Sequence, residues 1–312
     1  MSNSFNFGIF GDLDFKMSSQ SQEQYQFIES ILQQNLGEIG SIQDFQFFYG
    51  GNFNLAVRVK LKQGEYFIKW NQGDHEGLFP AEAKNLALIA STSTVPVPQV
   101  LGVGQLDEKE YLMMECIPTA EKKDNYWSDF GQKLAQLHHS SSKKGHGLDY
   151  DNFIGAAKQV NQWNQNGVNF FIQNRIKAQV DTALYHRRID GDTNDAFEIL
   201  YEKIPSIIPN ETSALLHGDL WSGNAMVNQH GLVSLVDPSC YYGLREAEIA
   251  FTTMFGGFEK EFYEAYNESF PITKGFHERI PLYNLYPLMV HVNLFGEGYL
   301  PAVRKILDSY VG

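Results

Sequence analysis

The N-terminal part of the chain has the apolar patterning of short strands. Three successive segments carry it, residues 42–51, 52–61 and 65–70, and a turn signal at 62–64 separates the last two. Strands joined by such short turns pair with their neighbours in the opposite direction. We therefore predict an antiparallel meander, followed by one more strand at residues 109–117.

Two different patterns lie between these strands. Residues 78–92 repeat apolar positions at a spacing of three and four, which is typical of a helix. Residues 95–106 contain two prolines, which cannot donate backbone hydrogen bonds within a sheet. This second segment is therefore predicted to be an extended connection.

Farther along the chain the helical pattern dominates. Apolar positions recur every three or four residues in three long segments, at 126–141, 167–188 and 193–208. Short strand patterns return at 213–219, 225–229 and 232–238. The second part of the chain is thus predicted to be mainly helical.

These patterns predict an α+β fold with two lobes. The first is a small antiparallel-sheet N-lobe at 21–117, and the second is a larger, mainly helical C-lobe at 118–312. They join near residues 115–119, and residues 1–20 are predicted to be a flexible N-terminus. Clefts between such lobes are a common place for ligands.

The composition excludes several classes of function. The 312 residues are 43% hydrophobic and 14% aromatic, and they contain no uncharged apolar window of about 20 positions. A globular protein without a membrane partner is therefore expected. The formal charge of -13 repels a phosphate backbone, and the basic residues are scattered, so no nucleic-acid partner is predicted.

The first 20 residues lack a basic start followed by an apolar stretch, which argues against a secretory signal. We therefore expect a cytoplasmic location. Cys116 and Cys240 lie far apart without CxxC spacing, so a disulfide framework or zinc site is not expected. Both are predicted to be reduced core thiols.

The turn between the first two predicted strands contains a glycine pair. Gly50 and Gly51 would let backbone N–H groups approach a phosphate, although a glycine pair between strands is also an ordinary turn. Both interpretations stay open. On the first, Gly50, Gly51 and Asn54 are candidate nucleotide contacts.

Lys69 ends the apolar run of the third strand, between Ile68 and Trp70. A lysine in this position can pair the α and β phosphates of a nucleotide if a carboxylate fixes it. Glu82, on the predicted helix at 78–92, is the natural partner. The alternative is an ordinary exposed glutamate on a helix.

The segment 217–224, HGDLWSGN, carries the most specific spacing. Asp219 precedes Asn224 by five residues, and Asp237 ends the strand pattern at 232–238. Phosphoryl transfer needs an acceptor for the hydroxyl proton, here Asp219, and oxygen ligands for Mg²⁺, here Asn224 and Asp237.

This spacing is that of a kinase catalytic loop followed by its metal-binding loop, so we predict a phosphotransferase that uses a nucleotide and Mg²⁺. Each of the three residues is alternatively a turn or cap residue. His217 is predicted to be a structural hydrogen-bonding residue. No role is assigned to the pair His138-His139.

These residues resemble those of the fructosamine kinase family, the ketosamine kinases, a branch of the protein-kinase-like and aminoglycoside-phosphotransferase-like superfamily. The likeness covers nearly the whole chain from about residue 22. Its most specific parts are HGDLWSGN and the segments at 146–155, 237–258 and 282–299. General kinases share the Asp and Asn spacing but not Trp221 or these aromatic segments.

The resemblance implies a two-lobed, protein-kinase-like fold and an ATP-dependent kinase. Such an enzyme phosphorylates a sugar hydroxyl of ketosamines, the fructosamine or ribulosamine adducts of amines or proteins, and so acts in deglycation. Lys69 and Glu82 look like the nucleotide-lobe ion pair, and Asp219 looks like the catalytic base. Asn224 and Asp237 look like the Mg²⁺ ligands.

The resemblance also implies that the backbone from Met113 through Glu115 to Ile117 meets adenine. Candidate substrate contacts flank the metal loop and supply aromatic faces or charged groups: Trp221, Tyr241, Tyr242, Arg245 and Glu246. For Arg245 and Glu246, bracing of the loop is the alternative. Phe255 is interpreted as a core residue.

Two departures from related patterns matter. The metal loop reads Asp-Pro-Ser at 237–239 rather than Asp-Phe-Gly, so switching by a Phe flip is not expected. The glycine turn lacks the cysteine that links two chains in some family members. Either a monomer or a weak homodimer is expected.

Two other functions stay open on the sequence alone. A related small-molecule kinase would act on an aminoglycoside, choline or a similar amino-alcohol. A catalytically silent pseudokinase would serve as a binding module, although it has no need for all five residues Lys69, Glu82, Asp219, Asn224 and Asp237.

Overall fold

The computed structural model describes residues 19–50, 54–71 and 76–312. The chain divides into two compact units. The first comprises Met1–Lys84 and Pro98–Pro118, and the second comprises Asn85–Val97 and Thr119–Gly312. Residues 85–97, assigned by the sequence to the N-lobe, thus belong to the second unit, and most of the predicted flexible N-terminus lies outside the described residues.

The first unit is built on one antiparallel sheet of five strands, in the order β1-β2-β3-β5-β4. Its strands are β1 (Asp44–Gly50), β2 (Asn54–Leu61), β3 (Gly64–Asn71), β4 (Val100–Leu106) and β5 (Lys109–Glu115). The predicted meander corresponds to β1, β2 and β3.

The prediction of an extended connection at 95–106 is wrong in its second half. Both prolines precede Val100, so they leave every residue of β4 able to pair. The strand pairs with β5 and forms the edge of the sheet, with a register shift between Val100 and Gly102.

Helix α1 (Ser19–Leu36) packs against this sheet. Its buried face, with Ile28, Ile31 and Leu32, joins Ile68 and Trp70 in one apolar core. Helix α2 (Leu78–Thr92) begins and ends where the sequence predicts, and the boundary between the two units falls within it, after Lys84.

The second unit is mainly helical. Its helices are α3 (Tyr126–His138), α4 (Gly167–Phe170), α5 (Ala178–Tyr185), α6 (Gly191–Ile207), α7 (Arg245–Phe251), α8 (Lys260–Ser269), α9 (Phe276–Phe295) and α10 (Leu300–Val311). A π-helical segment, Phe171–Lys177, joins α4 to α5, and 3₁₀ turns span Ser222–Asn224 and Glu297–Tyr299. Within the described residues, no helix combines the length and apolarity needed to cross a membrane.

Three two-stranded ladders lie among these helices. They are formed by β6 (Asn152–Ile154) with β7 (Ala157–Gln159), by β8 (Ala214–Leu216) with β11 (Tyr241–Gly243), and by β9 (Ala225–Val227) with β10 (Val233–Leu235). All three are antiparallel. Their ends carry the loops of the candidate site, and the apolar residues beneath them form two large buried clusters.

Candidate active site

Two ladders bring the predicted catalytic and metal residues together. Asn224 immediately precedes β9, and Asp237 follows β10, whose Leu235 pairs with Ala225. The N–H of Val236 donates to the carbonyl oxygen of Asn224 at 3.0 Å. The β9–β10 hairpin therefore places Asn224 beside the segment that carries Asp237.

The second ladder joins the catalytic loop to the metal loop. Strand β8 leads into Asp219, and β11, which follows the metal loop, pairs with it in the opposite direction. The N–H of Ser239 donates to the carbonyl oxygen of His217 at 2.7 Å. Gly218 has φ +87°, and a Cβ there would lie 2.0 Å from the carbonyl oxygen of Ser239, so this contact requires glycine.

Asn224 contacts Asp219 directly. Its Nδ2 donates to the backbone oxygen of Asp219 at 2.8 Å and to its Oδ2 at 3.1 Å. These two bonds use both amide hydrogens and fix the orientation of the side chain. The amide oxygen, which is the atom that binds a cation, is left as an acceptor.

The environment raises the pKa of Asp219 to about 7. Burial is the main cause, and the negative charges of Asp237 and Glu248 add to it, while the hydrogen bond from Asn224 opposes the shift. A carboxyl group with a pKa near 7 is suited to exchanging protons at neutral pH.

His217 has the structural role predicted for it. Its Nε2 lies 2.9 Å from the carbonyl oxygen of Val236, which can only accept, so Nε2 carries the proton. Burial lowers the pKa of His217, so the ring is neutral and Nδ1 is an acceptor, 3.4 Å from the N–H of Asp219.

Glu248 anchors the catalytic loop, and sequence reasoning missed it. Its carboxylate accepts the N–H of Gly218 at 2.6 Å, the N–H of His217 at 3.1 Å, and His138 Nε2 at 2.9 Å. Burial alone would raise the pKa of Glu248, but these hydrogen bonds, above all the one from His138, hold it below its ordinary value. Glu248 lies about 30 residues from the loop in sequence, so spacing gave no signal.

A chain of polar groups continues from Glu248. Tyr266 Oη lies 2.7 Å from His138 Nδ1, and Arg245 Nη1 lies 3.4 Å from the same hydroxyl. Arg245 also pairs with Glu211 at 3.3 Å. His138, to which no role was assigned, therefore links Glu248 to Tyr266. We call the set His138, Glu211, Arg245, Glu248 and Tyr266 the charged network.

The structure does not support substrate contacts for Arg245 and Glu246. Arg245 is 5% exposed, and its guanidinium also donates to the carbonyl oxygens of Phe270 and Pro271. Glu246 is fully buried and forms a two-bond pair with Arg279. Both side chains are committed to partners within the unit, which corresponds to the bracing alternative.

The two tyrosines of β11 are also occupied elsewhere. Tyr241 is buried, with the guanidinium of Arg175 3.8 Å from its ring centroid. Tyr242 is half-buried, and its ring lies 5.9 Å from that of Trp163. Neither tyrosine lines the cavity beside Asp219, so the geometry offers them no acceptor contact there.

That cavity has a volume of about 230 Å³. Asp219 and Trp221 line it, together with eight residues that are mostly apolar or aromatic: Ile154, Gly155, Phe251, Phe255, Val290, His291, Leu294 and Phe295. The sequence predicted only Asp219 and Trp221 as site residues here. The rest come from distant elements that spacing does not connect.

Phe255 is not the core residue that the sequence suggested. It is 45% exposed, and its ring lies 6.1 Å from Trp221 and 5.0 Å from His291. Its φ of +53° is unusual for an aromatic residue, and such backbone strain often occurs at ligand sites. Phe255 thus belongs to the wall of the cavity.

In the first unit, the predicted ion pair is present. Lys69 Nζ lies 2.9 Å from Glu82 Oε1, with side chains 12% and 11% exposed. Lys69 is held in β3 opposite Ala56 and Leu112. Of the glycine turn, Gly51 lies outside the described residues. Gly50 and Asn54 are described only as the paired ends of β1 and β2.

The predicted adenine segment needs one correction. Met113 lies inside β5 opposite Ile68 on one side and Gly102 on the other, so its backbone is enclosed by strands. Glu115 ends β5; its N–H donates to the carbonyl oxygen of Gln99 at 3.0 Å, and its side-chain Oε1 accepts the N–H of Gln99 at 3.0 Å. Ile117 lies beyond the strand, and an adenine contact at the end of this segment stays a prediction.

Comparisons with known proteins identify the family. Residues 24–312 match the fructosamine kinase family. A protein of Vibrio parahaemolyticus, named a probable ketoamine kinase, is 35% identical over 263 residues, which cover 84% of this chain and 90% of the relative. The chain belongs to the fructosamine kinase family. A probable ketoamine kinase of Synechocystis is 34% identical over 94% of this chain and 99% of its own length.

Solved structures agree with this fructosamine kinase assignment. A Haemophilus somnus chain, assigned as a fructosamine-3-kinase, has a TM-score of 0.82 at 29% identity and covers 91% of this chain and 97% of its own. An aminoglycoside phosphotransferase, solved with AMP-PNP and hygromycin B, has a TM-score of 0.63 at 15% identity and covers 91% and 99%. The second likeness shows the fold alone.

These findings confirm the predicted α+β, protein-kinase-like fold and the enzyme class, an ATP-dependent phosphotransferase of the family that phosphorylates ketosamines.

The residues present fit a magnesium ion. Mg²⁺ is usually bound through one or two protein oxygen ligands together with phosphate oxygens of the substrate. Asn224 and Asp237 supply such a set, and after burial the negative charge of Asp237 is the next largest cause of the raised pKa of Asp219. Among the described residues, no cluster of three or more His, Cys, Asp or Glu is arranged to hold a metal by itself.

Proposed function

We propose that this fructosamine kinase family member transfers the γ-phosphoryl group of ATP to a sugar hydroxyl of a ketosamine, with Asp219 as the catalytic base. The observation that carries the proposal is the double position of Asp219. Asp219 is hydrogen-bonded to Asn224, a proposed Mg²⁺ ligand, and it also lines the aromatic cavity. A hydroxyl bound in the cavity is therefore placed beside the base.

Asp219 acts by orienting the hydroxyl and accepting its proton. The hydrogen bond from Asn224 favours the charged form of Asp219, which is the form that can accept. Asn224 and Asp237 would hold Mg²⁺, which supplies positive charge for the transferred phosphoryl group. In the first unit, Lys69 is proposed to pair the nucleotide phosphates and Glu82 to hold it in place.

The cavity favours a sugar joined to an aliphatic amine. Trp221 and Phe255 offer flat apolar faces against which the C–H groups of a sugar can pack, while Asp219 is the single acidic group of the lining. The phosphorylated ketosamine would then break down and free the amine, so we propose a role in deglycation. The cavity volume of about 230 Å³ accommodates a small ketosamine. A ketosamine attached to a protein is a separate substrate in the test below.

An acceptor panel tests the proposal. Purified protein with ATP and Mg²⁺ is incubated with fructoselysine, a ribulosamine, a glycated protein, an aminoglycoside and choline, and phosphorylated product is resolved by mass. We expect turnover of at least one ketosamine. We expect Asp219→Asn to lower kcat by roughly 10²- to 10⁴-fold, because the amide cannot accept the proton.

The control for this variant is nucleotide binding, followed as a thermal shift with ATP and Mg²⁺. Binding should persist in Asp219→Asn. Near-normal kcat in the variant would remove Asp219 as the base, and faster turnover of choline or the aminoglycoside would change the acceptor. A nucleotide shift without phosphorylation of any acceptor would indicate a binding module.

A further inference from the structure

Three consecutive carbonyl groups directly after Asp237 are each bound by a buried amide side chain. Asn85 Nδ2 donates to the oxygen of Pro238 at 2.7 Å, Gln159 Nε2 to that of Ser239 at 3.1 Å, and Asn152 Nδ2 to that of Cys240 at 2.7 Å. The three amide side chains come from α2, β6 and β7. We call Asn85, Asn152 and Gln159 the amide ladder.

Asn152 forms the centre of the ladder and is fully buried. Its Nδ2 also donates to Asn85 Oδ1 at 3.2 Å. Its Oδ1 accepts from Gln159 Nε2 at 3.0 Å and from Asn161 Nδ2 at 2.9 Å. Both hydrogens and both lone-pair positions of the amide are therefore satisfied, which leaves it a single orientation.

The outer members are fixed in the same way. Gln159 Oε1 accepts the hydroxyl of Tyr286 at 2.6 Å, and Asn85 Oδ1 accepts that of Tyr150 at 3.1 Å. Asn85 and Gln159 are each 1% exposed. A buried polar network is favourable only when its members are satisfied, and this one is.

Arg175 determines which groups of the hydrogen-bond network donate and which accept. Arg175, in the π-helical segment, donates to Asn161 Oδ1 at 2.6 Å, and a guanidinium can only donate. Asn161 must then donate onward to Asn152, and the sequence of donors ends at the carbonyl groups after Asp237. Among the described residues no carboxylate pairs with Arg175. Its guanidinium instead makes cation–π contacts with the rings of Tyr241 and Phe170.

Asp237 has a backbone that needs such support. Its φ is +55°, a left-handed conformation that is uncommon outside glycine, although aspartate adopts it more readily than most residues. It also precedes Pro238, and the residue before a proline prefers an extended conformation. The preference of a residue before proline thus opposes the observed conformation of the proposed metal ligand.

We propose that Asn85, Asn152 and Gln159 are positioning residues that hold the backbone of Asp237 in its metal-binding conformation by fixing the three carbonyl groups that follow it. The inference rests on the proposed function, in which Asp237 binds Mg²⁺. It gives a role to Asn152 and Gln159 in the segment 146–161, of which only Ile154 and Gly155 line the cavity beside Asp219. The side chains that bind the carbonyl groups of the loop are all neutral.

The test compares two buried glutamines. Gln159→Met keeps the length of the side chain but removes both donors, whereas Gln179→Met removes a buried amide on α5 that bonds Asn293 and lies outside the ladder. For both variants and the wild type, we would measure the unfolding temperature with ATP alone and with ATP plus increasing Mg²⁺, and the Mg²⁺ concentration that gives half-maximal activity.

We expect Gln159→Met to need about tenfold more Mg²⁺ for the thermal shift and for half-maximal activity, the usual effect of losing a residue that supports a metal ligand. Excess Mg²⁺ should restore part of its kcat. Gln179→Met should keep the wild-type Mg²⁺ requirement even if its unfolding temperature falls. If Gln159→Met does not fold, Gln159→Asn, which keeps the amide but shortens its reach, serves in its place.

A wild-type Mg²⁺ requirement in the folded Gln159 variant would overturn the positioning role, and so would an equal change in both glutamine variants. Failure of the proposed function gives a different result. In that case the wild type itself would show no Mg²⁺-dependent shift with ATP, and no acceptor would be phosphorylated.

Discussion

The catalytic loop and the metal loop are held by different kinds of partner. The charged network supports the first, with the Glu248 carboxylate accepting the N–H groups of His217 and Gly218. The amide ladder supports the second, and its members donate to backbone carbonyl groups. One loop is therefore bound through its donors by an anion, and the other through its acceptors by neutral amides.

This difference has an electrostatic consequence. Glu248 contributes to the raised pKa of Asp219, after burial and Asp237, so the group that anchors the loop also tunes the base. The amides add no net charge near Asp237, the proposed Mg²⁺ ligand. Both loops are thus held by buried hydrogen bonds, but only the group that supports the catalytic loop adds a negative charge beside it.

The largest expected effect comes from removing the Glu248 carboxylate, the anion that holds the catalytic loop. Glu248→Ala leaves two buried N–H groups and His138 without their acceptor, and breaking a buried ionic network typically costs about 3–5 kcal/mol. We expect a loss of that order in the free energy of unfolding, measured with urea at pH 7, together with a large loss of kcat. The catalytic loop is no longer fixed in this variant.

Glu264→Ala is the matched control. Glu264 pairs with Lys260 on the surface of α8, and its side chain is 54% exposed. An exposed pair of this kind contributes roughly 0.5 kcal/mol or less. Equal losses in the two variants would mean that Glu248 is no more than an ordinary helix residue.

An effect of opposite sign is expected at Asp219 in the metal-free protein. A folded-state pKa of about 7 lies above the ordinary value, so ionised Asp219 destabilises the fold at high pH. Asp219→Asn should therefore raise the free energy of unfolding by roughly 2–4 kcal/mol at pH 8. The gain should shrink as the pH falls from 7 towards 4, where the native carboxyl group is protonated.

The measurement is urea unfolding with chelator at several pH values. The variant that loses activity is thus expected to gain stability, which separates a catalytic role from a structural one. A stability gain that does not change between pH 8 and pH 4 would show that the charge of Asp219 is not its source.

Features that depend on local spacing could be predicted from the sequence. Residues 78–92 form a helix as their apolar repeat indicates, and the interval from Asp219 to Asn224 gives a direct contact. Helix α9 (Phe276–Phe295) carries two internal prolines and is buried over most of its circumference, so no amphipathic stripe marks it. A pattern that depends on one exposed face cannot detect such a helix.

Contacts between distant segments could not be predicted. Arg245 and Glu246 follow the metal loop closely, but proximity in sequence does not say which way a helix turns its side chains. In α7, Glu248 reaches the catalytic loop while Glu246 meets Arg279. The amide ladder was hidden for the same reason, since Asn85 and Asn152 lie far from Asp237 along the chain.

The smallest expected effect concerns how far the charged network extends. Tyr266→Phe removes one hydroxyl, which lies 2.7 Å from His138 Nδ1 and 3.4 Å from Arg245 Nη1, and keeps the ring in the core. We expect a loss of about 1 kcal/mol in the free energy of unfolding and a smaller change in kcat than in Glu248→Ala. A loss of kcat as large as that of Glu248→Ala would mean that Glu248 holds the catalytic loop only when Tyr266 fixes His138. The charged network would then support the loop as far as Arg245, which contacts the same hydroxyl. A change in the free energy of unfolding without a change in kcat would mean that Glu248 and His138 suffice to hold the catalytic loop.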